Sequence, residues 1–248
     1  MNIFYLIIKQ IVIIAYTTGF LWLKRNPLSL FFSAISPFSL LFVLFIISNG
    51  KYTEFAIAGS LIMALVGYGL SLGQDISLYK TEYKIQDVFV ASPVSPLTYM
   101  TGLAISQLLF GFPALSVLVA LTLLYIHDFI DIIMLFVTIL IVWGSASSLG
   151  FFLSSHMMHM RNATQIISFI NIFLTILPPV FYPVNIIPEP LQALAYIVPT
   201  THASILIQDI MHQPVPSNWF PELGFLVEFL YLVGFVMLAK TRSMWREP

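Results

Sequence analysis

A few groups of side chains in this 248-residue sequence have the types and spacing that chemistry could use. His156 and His159 stand three apart, which sets two imidazoles on one helical face as a metal pair would need. No carboxylate or cysteine is near in sequence to complete such a site, so a loop at headgroup level is the preferred reading and no metal is expected. Asp128 and Asp131 have the spacing of paired carboxylates that hold a divalent cation on a diphosphate, but they stand alone, and a solvated turn is preferred. Gly144-Ser145-Ala146-Ser147-Ser148 has the composition of a serine elbow without its G-x-S-x-G spacing, and small residues for close helix packing explain it better. Gly50-Lys51 is followed by Tyr52, so the chain carries no phosphate-cradling G-x-x-x-x-G-K-[S/T] loop and no recognisable ATP site. It has no cysteine, which removes disulfides, thiolate metal sites and a thiol nucleophile.

Two further features lie within apolar runs. Thr164, Ser168, Asn171 and Thr175 recur at i, i+4, i+7 and i+11, a polar stripe along one helical face. Such a stripe either lines a substrate path or supplies interhelical hydrogen bonds, and the second is the commoner use. Glu228 follows Glu222 inside the last apolar run, where an acid facing lipid is costly and is therefore a site candidate.

The elements that must carry these groups are membrane helices. Hydrophobic residues make up 59% of the chain and charged ones 8%, against about 25% charged in a soluble domain. The expected fold class is therefore an all-α polytopic membrane protein, read as a single domain over residues 1–248, with no removable signal peptide. Six spans are expected at 28–48, 55–73, 97–125, 132–153, from 163 to just past 177, and 219–239. The second ends in Gly69-x-x-x-Gly73, a small-residue face that lets helices approach closely. Residues 1–26 are expected as an interfacial helix, with Asn2, Lys9 and Tyr16 forming a weak polar stripe and Trp22, Lys24 and Arg25 at the headgroups; a true span is the alternative. Residues 178–218 hold eight of the fifteen prolines between helical pieces too short to cross a bilayer, so they read as outer re-entrant helices.

The longest polar interval is residues 74–98, expected as a cytoplasmic loop. Within it, Glu82 to Ala91 reads as a short amphipathic helix. Ile85, Val88 and Phe89 fall at i, i+3 and i+4 on one face, while Lys80, Lys84 and Asp87 fall on another. Ser92-Pro93 ends it. A helix this short needs a partner surface to be stable. Placing both termini and this loop in the cytoplasm puts nine of the ten lysines and arginines inside and leaves only Lys51 outside.

In this order, three pieces resemble the permease subunits of ABC-2-type ABC exporters, the class that includes the daunorubicin-resistance membrane subunits. They are the apolar helix ending in Lys24-Arg25-Asn26-Pro27, the run from Asp87 to Pro96, and Phe181-Tyr182-Pro183 through Ile187-Pro188-Glu189-Pro190-Leu191 to Pro199-Thr200-Thr201. Lys84-Ile85-Gln86 replaces the Gly-Thr-Leu common in the family's loop, Val198 stands where Asn often precedes the proline, and Gln208 stands where Arg is common.

The resemblance implies an export pathway made by two permease subunits, homo- or heterodimeric, and driven by two copies of a separate ATPase subunit that holds the ATP and Mg. This chain would bind no cofactor, act as no enzyme itself, and have membrane lipid but no nucleic acid as a partner. The coupling residues would be Glu82, Lys84, Ile85, Asp87, Val88, Phe89, Ser92 and Pro93, with Val88 and Phe89 as anchors in an ATPase groove. Thr164, Ser168, Asn171, Thr175 and Glu228 are the candidate substrate path, for a drug, lipid or glycan-like substrate moved outward across a plasma membrane. The other readings are an ATPase-coupled uptake component, an ATP-independent channel or carrier, and a membrane enzyme acting on lipids. A carrier would favour inverted repeats or midplane ionisable groups, and an enzyme would need clustered intramembrane His, Asp or Glu; none is evident in the sequence.

Overall fold

Long apolar runs broken by prolines dictate helices of very unequal length, and the computed structural model contains them; it describes residues 3–157, 159–216 and 219–244. Asn2 and Arg246, used above in the N-terminal stripe and the charge count, lie outside the described residues. Among the described residues the regular elements are all helical: α1 (Ile3–Ala15), a π-helical turn (Tyr16–Phe20), α2 (Leu21–Arg25), α3 (Leu28–Ile47), α4 (Thr53–Thr81), α5 (Ile85–Ala91), α6 (Pro96–Leu123), α7 (Phe129–Ser155), α8 (Met160–Thr175), α9 (Glu189–Ala195), α10 (Pro199–Ile210) and α11 (Pro221–Thr241). Several starts are set by proline at the first or second helical position, where the missing N–H costs nothing: Pro96, Pro190, Pro199 and Pro221. Six helices are long and apolar enough to cross a membrane, which makes this an all-α polytopic membrane protein.

The bundle is built around α4. Of its most apolar window 83% is buried, against 17% for α11 and 6% for α3, whose outer faces are left to lipid or to another chain. What lets α4 sit so deep is the absence of side chains where α7 crosses it. A Cβ on Gly69 would meet Ala146 Cβ at 2.5 Å, and one on Gly73 would meet the Gly150 carbonyl at 2.6 Å. The Gly69-x-x-x-Gly73 face and the small residues around 144–148 are thus the two sides of one close approach, held by packing rather than by chemistry. At the other end of α4 the Phe181 ring lies on Gly59.

Three expected boundaries move. First, α4 does not stop at Gly73 but runs through Thr81, so residues 74–81 of the expected loop are its last two turns. Their polar composition hides an apolar face: Leu72 and Ile76 are buried one turn apart against Tyr99, Met100 and Leu103 of α6.

Second, the six long helices are not the six expected spans. Residues 4–25 are included, and α8, at 16 residues, is not. Pro178-Pro179 stops α8, yet Ile167 lies against Gly73, Asn171 faces Gly67 and Phe181 reaches Gly59, so the segment still follows α4 for about 21 Å by helical rise.

Third, the N-terminal helix is packed along the bundle. Ile14 packs on Gly102, Gly19 on Ser106 and Trp22 on Phe110, the two chains advancing in step, so it runs alongside α6. Gly19 and Gly102 permit that approach, and Thr18 and Ser106 hydroxyls bond across it at 2.6 Å.

Candidate coupling and transport elements

The polar loop contracts to a compact device. α4 ends at Thr81, and Lys84 takes a left-handed backbone (φ +50°) that turns the chain into α5. A non-glycine residue there costs about 1–2 kcal/mol and persists only where the surroundings fix it. Eight residues after Lys84, Ser92 closes α5, its hydroxyl donating to the Phe89 carbonyl at 2.7 Å. Ser95 then caps α6 by accepting from the Thr98 N–H at 3.1 Å.

The short helix begins at Ile85 rather than Glu82, and its faces differ from the expected ones. Phe89 turns inward, its ring 4.8 Å from that of Tyr99, with Gln86 buried beside it and Val90 half-buried. Ile85 and Val88 remain 39% and 69% exposed, with Glu82, Lys84, Asp87 and Pro93 also exposed around them. The apolar triplet is therefore split. One anchor holds α5 to the bundle, and two side chains are offered outward.

Thr164 and Thr175 spend their hydroxyls on carbonyls of their own helix, Met160 at 3.0 Å and Asn171 at 2.7 Å. Ser168 is exposed, whereas Asn171 is turned toward Gly67 with its Oδ1 buried and unpartnered. The stripe thus divides between the α4 contact and the open side. Glu228 lies apart from it, 2% exposed, accepting the Ala203 N–H of α10 at 3.1 Å. Beside it is a cavity of about 20 Å³ reached also by Ser145, whose buried hydroxyl has no partner. That is room for one water.

A second acid turned into the bundle was missed. Asp75, assigned to the loop by its polarity, sits on α4 facing α6. There the Gln107 amide nitrogen donates to its Oδ2, and the Ser71 hydroxyl holds the amide oxygen at 2.8 Å. Ser71 and Asp75 at i, i+4, opposite the Leu72–Ile76 face, are the signal that could have revealed it.

The segment from Pro178 to Ile210 is locked by its own polar groups. Thr201 donates to the Ala195 carbonyl at 2.6 Å, Ser204 to Pro179 at 3.1 Å, and Gln208 to Ser204 at 2.7 Å. Gln208 is thus satisfied inside that segment where the family commonly has a cation. A cavity of about 930 Å³ opens here among Glu189, Tyr196, His202 and Trp219. Burial lowers the His202 pKa below its usual value, opposed by its bond to the Tyr196 carbonyl. Nearby, His212 comes within 3.6 Å of Asp131, and with Asp128 these three place possible ligand atoms within 4.8 Å of one another. All three residues keep some exposure, and nothing beyond that clustering points to a cation. Burial and Asp131 raise the neighbouring Asp209 carboxyl, with His212 opposing and Glu222 adding. His156 is held by its own helix end, Nδ1 2.9 Å from the Phe152 carbonyl, while His159 precedes α8 without a side-chain capping bond.

The chain belongs to the ABC-2 type transporter family, whose model matches residues 8–212, from within α1 to just past α10. No curated protein matches it significantly. It is accordingly a permease of an ABC transporter, a multi-pass membrane protein of a family that works with an ATPase partner.

Proposed function

We propose that this chain is the permease of an ATP-driven exporter of the daunorubicin-resistance type, acting as a pair with two copies of an ATPase subunit that bind all the ATP and Mg. The observation that carries the proposal is α5: Ile85 and Val88 exposed in a ring of charge on a helix whose opposite face is clamped by Phe89 on Tyr99. A surface groove that gripped Ile85 and Val88 would move α5 as a body and with it the ends of α4 and α6. Glu82, Lys84 and Asp87 would select the partner electrostatically. Ser92 and Pro93 would set the helix length.

Lys80, Lys84, Arg161, Lys240 and Arg242 gather at this end of the bundle and Lys51 at the other, which supports cytoplasmic coupling, cytoplasmic termini and a plasma-membrane setting. Outward movement of a drug, lipid or glycan-like substrate would pass the open side of α8, with Ser168 closest to it, and Thr164, Asn171, Thr175 and Glu228 acting in support. Asp75 and Glu228 are the intramembrane acids an ion-coupled carrier would use; that second reading assigns no role to α5.

The test is a mild-detergent pull-down from the native membrane. Wild-type chain should bring down a stoichiometric partner bearing a phosphate-cradling loop. Val88→Asp should lose it, with insertion and melting temperature unchanged. Undiminished capture by Val88→Asp would overturn the docking face, and a wild-type chain that purifies only with itself would move the carrier reading ahead.

A further inference from the structure

Between the N-terminal helix, α3, α4 and α6 lies a cavity of about 450 Å³, within the range that small-molecule sites occupy. Its lining combines aromatic rings and a single acid with neutral hydroxyl and amide side chains. Trp22, Tyr68, Tyr79, Tyr83 and Phe110 supply rings, and Asp75 supplies the charge. Among the described residues no lysine, arginine or histidine lines it. The aromatic walls are organised in pairs: Trp22 meets Phe110 edge-on at 5.2 Å, Tyr79 and Tyr83 lie 6.3 Å apart, and Tyr68 is pinned by its hydroxyl to the Ser33 carbonyl at 3.0 Å.

The carboxylate is also fixed. Ser71 orients the Gln107 amide so that its nitrogen, not its oxygen, faces Asp75. This partner is neutral, so the carboxylate's charge is left uncompensated by it. A carboxylate turned into the bundle is costly unless it meets a cation or a proton, and ring faces carry the negative potential that attracts an ammonium group. Tyr83 and Trp22 are both exposed at the rim, so the site can be reached from outside the bundle. The lining offers a hard metal ion only one charged ligand among neutral hydroxyls and amides, whereas five rings beside one carboxylate suit a weakly hydrated organic cation.

We propose that this cavity binds an organic ammonium group carrying an apolar tail, with Asp75 as its counter-ion and the surrounding rings as its cation–π cage. The same chemistry is offered by a phospholipid with an ammonium headgroup and by a free cationic amphiphile. The binding stands without the coupling reading; only its use in transport would depend on it.

The purified full chain in phosphatidylglycerol nanodiscs, without ATPase or nucleotide, is titrated with radiolabelled octyltrimethylammonium, with empty discs subtracted. Saturable binding at one site per chain is expected, with octyl sulfate and octyl glucoside failing to compete. Asp75→Asn, which keeps the size and the bond to Gln107, should weaken binding by about tenfold or more, and Trp22→Leu and Tyr83→Leu by about three- to tenfold each. Equal binding by wild type and a folded Asp75→Asn, or competition by octyl sulfate as good as by the cation, overturns the proposal. Should Asp75→Asn not fold, unchanged affinity in both ring variants overturns it instead. Repeating the titration in discs containing phosphatidylcholine or phosphatidylethanolamine separates the sources: weaker apparent affinity assigns the site to the lipid headgroup, and unchanged affinity assigns it to the free amphiphile. Because no ATPase is present, failure here leaves the α5 coupling intact, and loss of the pull-down partner leaves this binding intact.

Discussion

Replacing Gly73 with alanine adds one methyl group at the closest point between α4 and α7. Its Cβ would stand 2.6 Å from the Gly150 carbonyl oxygen and 2.7 Å from Ile167 Cδ1, where ordinary contact begins at 3.4 Å. The isoleucine methyl can rotate away, but the carbonyl belongs to the α7 backbone and cannot. The helices must therefore part locally by about 0.8 Å, and a gap of that size forfeits a quarter to a half of each contact's dispersion energy. The loss spreads along the crossing, because Gly69 on Ala146 and Gly150 on Leu70 share it. Overpacking of this kind costs about 1–3 kcal/mol, and alanine's better helix propensity returns up to about 1 kcal/mol. A net loss of about 1–2 kcal/mol should lower the melting temperature by about 2–8 °C for a chain of this length. The assay is thermal unfolding in detergent followed by fluorescence-detected size exclusion. Gly234→Ala is the matched control, since a Cβ there meets nothing within 4 Å, and it should melt at or above the wild-type temperature. A Gly73→Ala protein as stable as its Gly234→Ala counterpart would refute the claim that backbone approach at this crossing holds the bundle together.

Two other outcomes follow from the same contacts. Phe89→Asp places a charge against Tyr99 and should cost about 2–3 kcal/mol, seen as loss of the monodisperse folded peak rather than selective loss of an ATPase partner; a folded Phe89→Asp chain that loses only the partner would reverse the assigned faces of α5. The folded state holds His202 below the ordinary 6.5, so its contribution to stability is complete above that value and is lost as pH falls through the depressed one. Melting should drop between pH 8 and pH 5 more for wild type than for His202→Gln, a comparison that cancels the opposite trend of Asp209, whose raised carboxyl favours stability at low pH; identical profiles would sink the assignment.

What the sequence made legible was whatever depends on composition and short spacing. The helical membrane class followed from the charge content, and the Gly69–Gly73 face from small residues one turn apart. The end of α4 did not, because a run as polar as Gln74-Asp75 and Lys80-Thr81 looks like a loop unless the buried pair Leu72 and Ile76 is weighed against it. Nor could a seven-residue helix announce its buried side. Ile85, Val88 and Phe89 share a spacing, but Tyr99, on the far side of a proline-bounded turn, decides which of them turns in. The shortening of α8 was written in Pro178-Pro179; that the chain beyond them keeps following α4 to Gly59 was not.

The placement of Asp75 ties the two ends of the functional argument together. α5 is joined to α4 through the left-handed Lys84 and to α6 through the turn from Ser92 to Ser95, with Phe89 clamped on Tyr99 between them. Neither junction contains a glycine, so a displacement of α5 is handed on rather than absorbed. The helices that receive it carry two of the cavity's four walls: Asp75, Tyr79 and Tyr83 on or just past α4, and Gln107 and Phe110 on α6. The hydrogen bond from Gln107 to Asp75 spans that pair. Any relative slide of α4 and α6 must stretch it and change how the carboxylate meets its ligand. A force applied at Ile85 and Val88 therefore reaches the acid through rigid helix and one side-chain bond, and by reciprocity a cation bound at Asp75 must bias the position of α5.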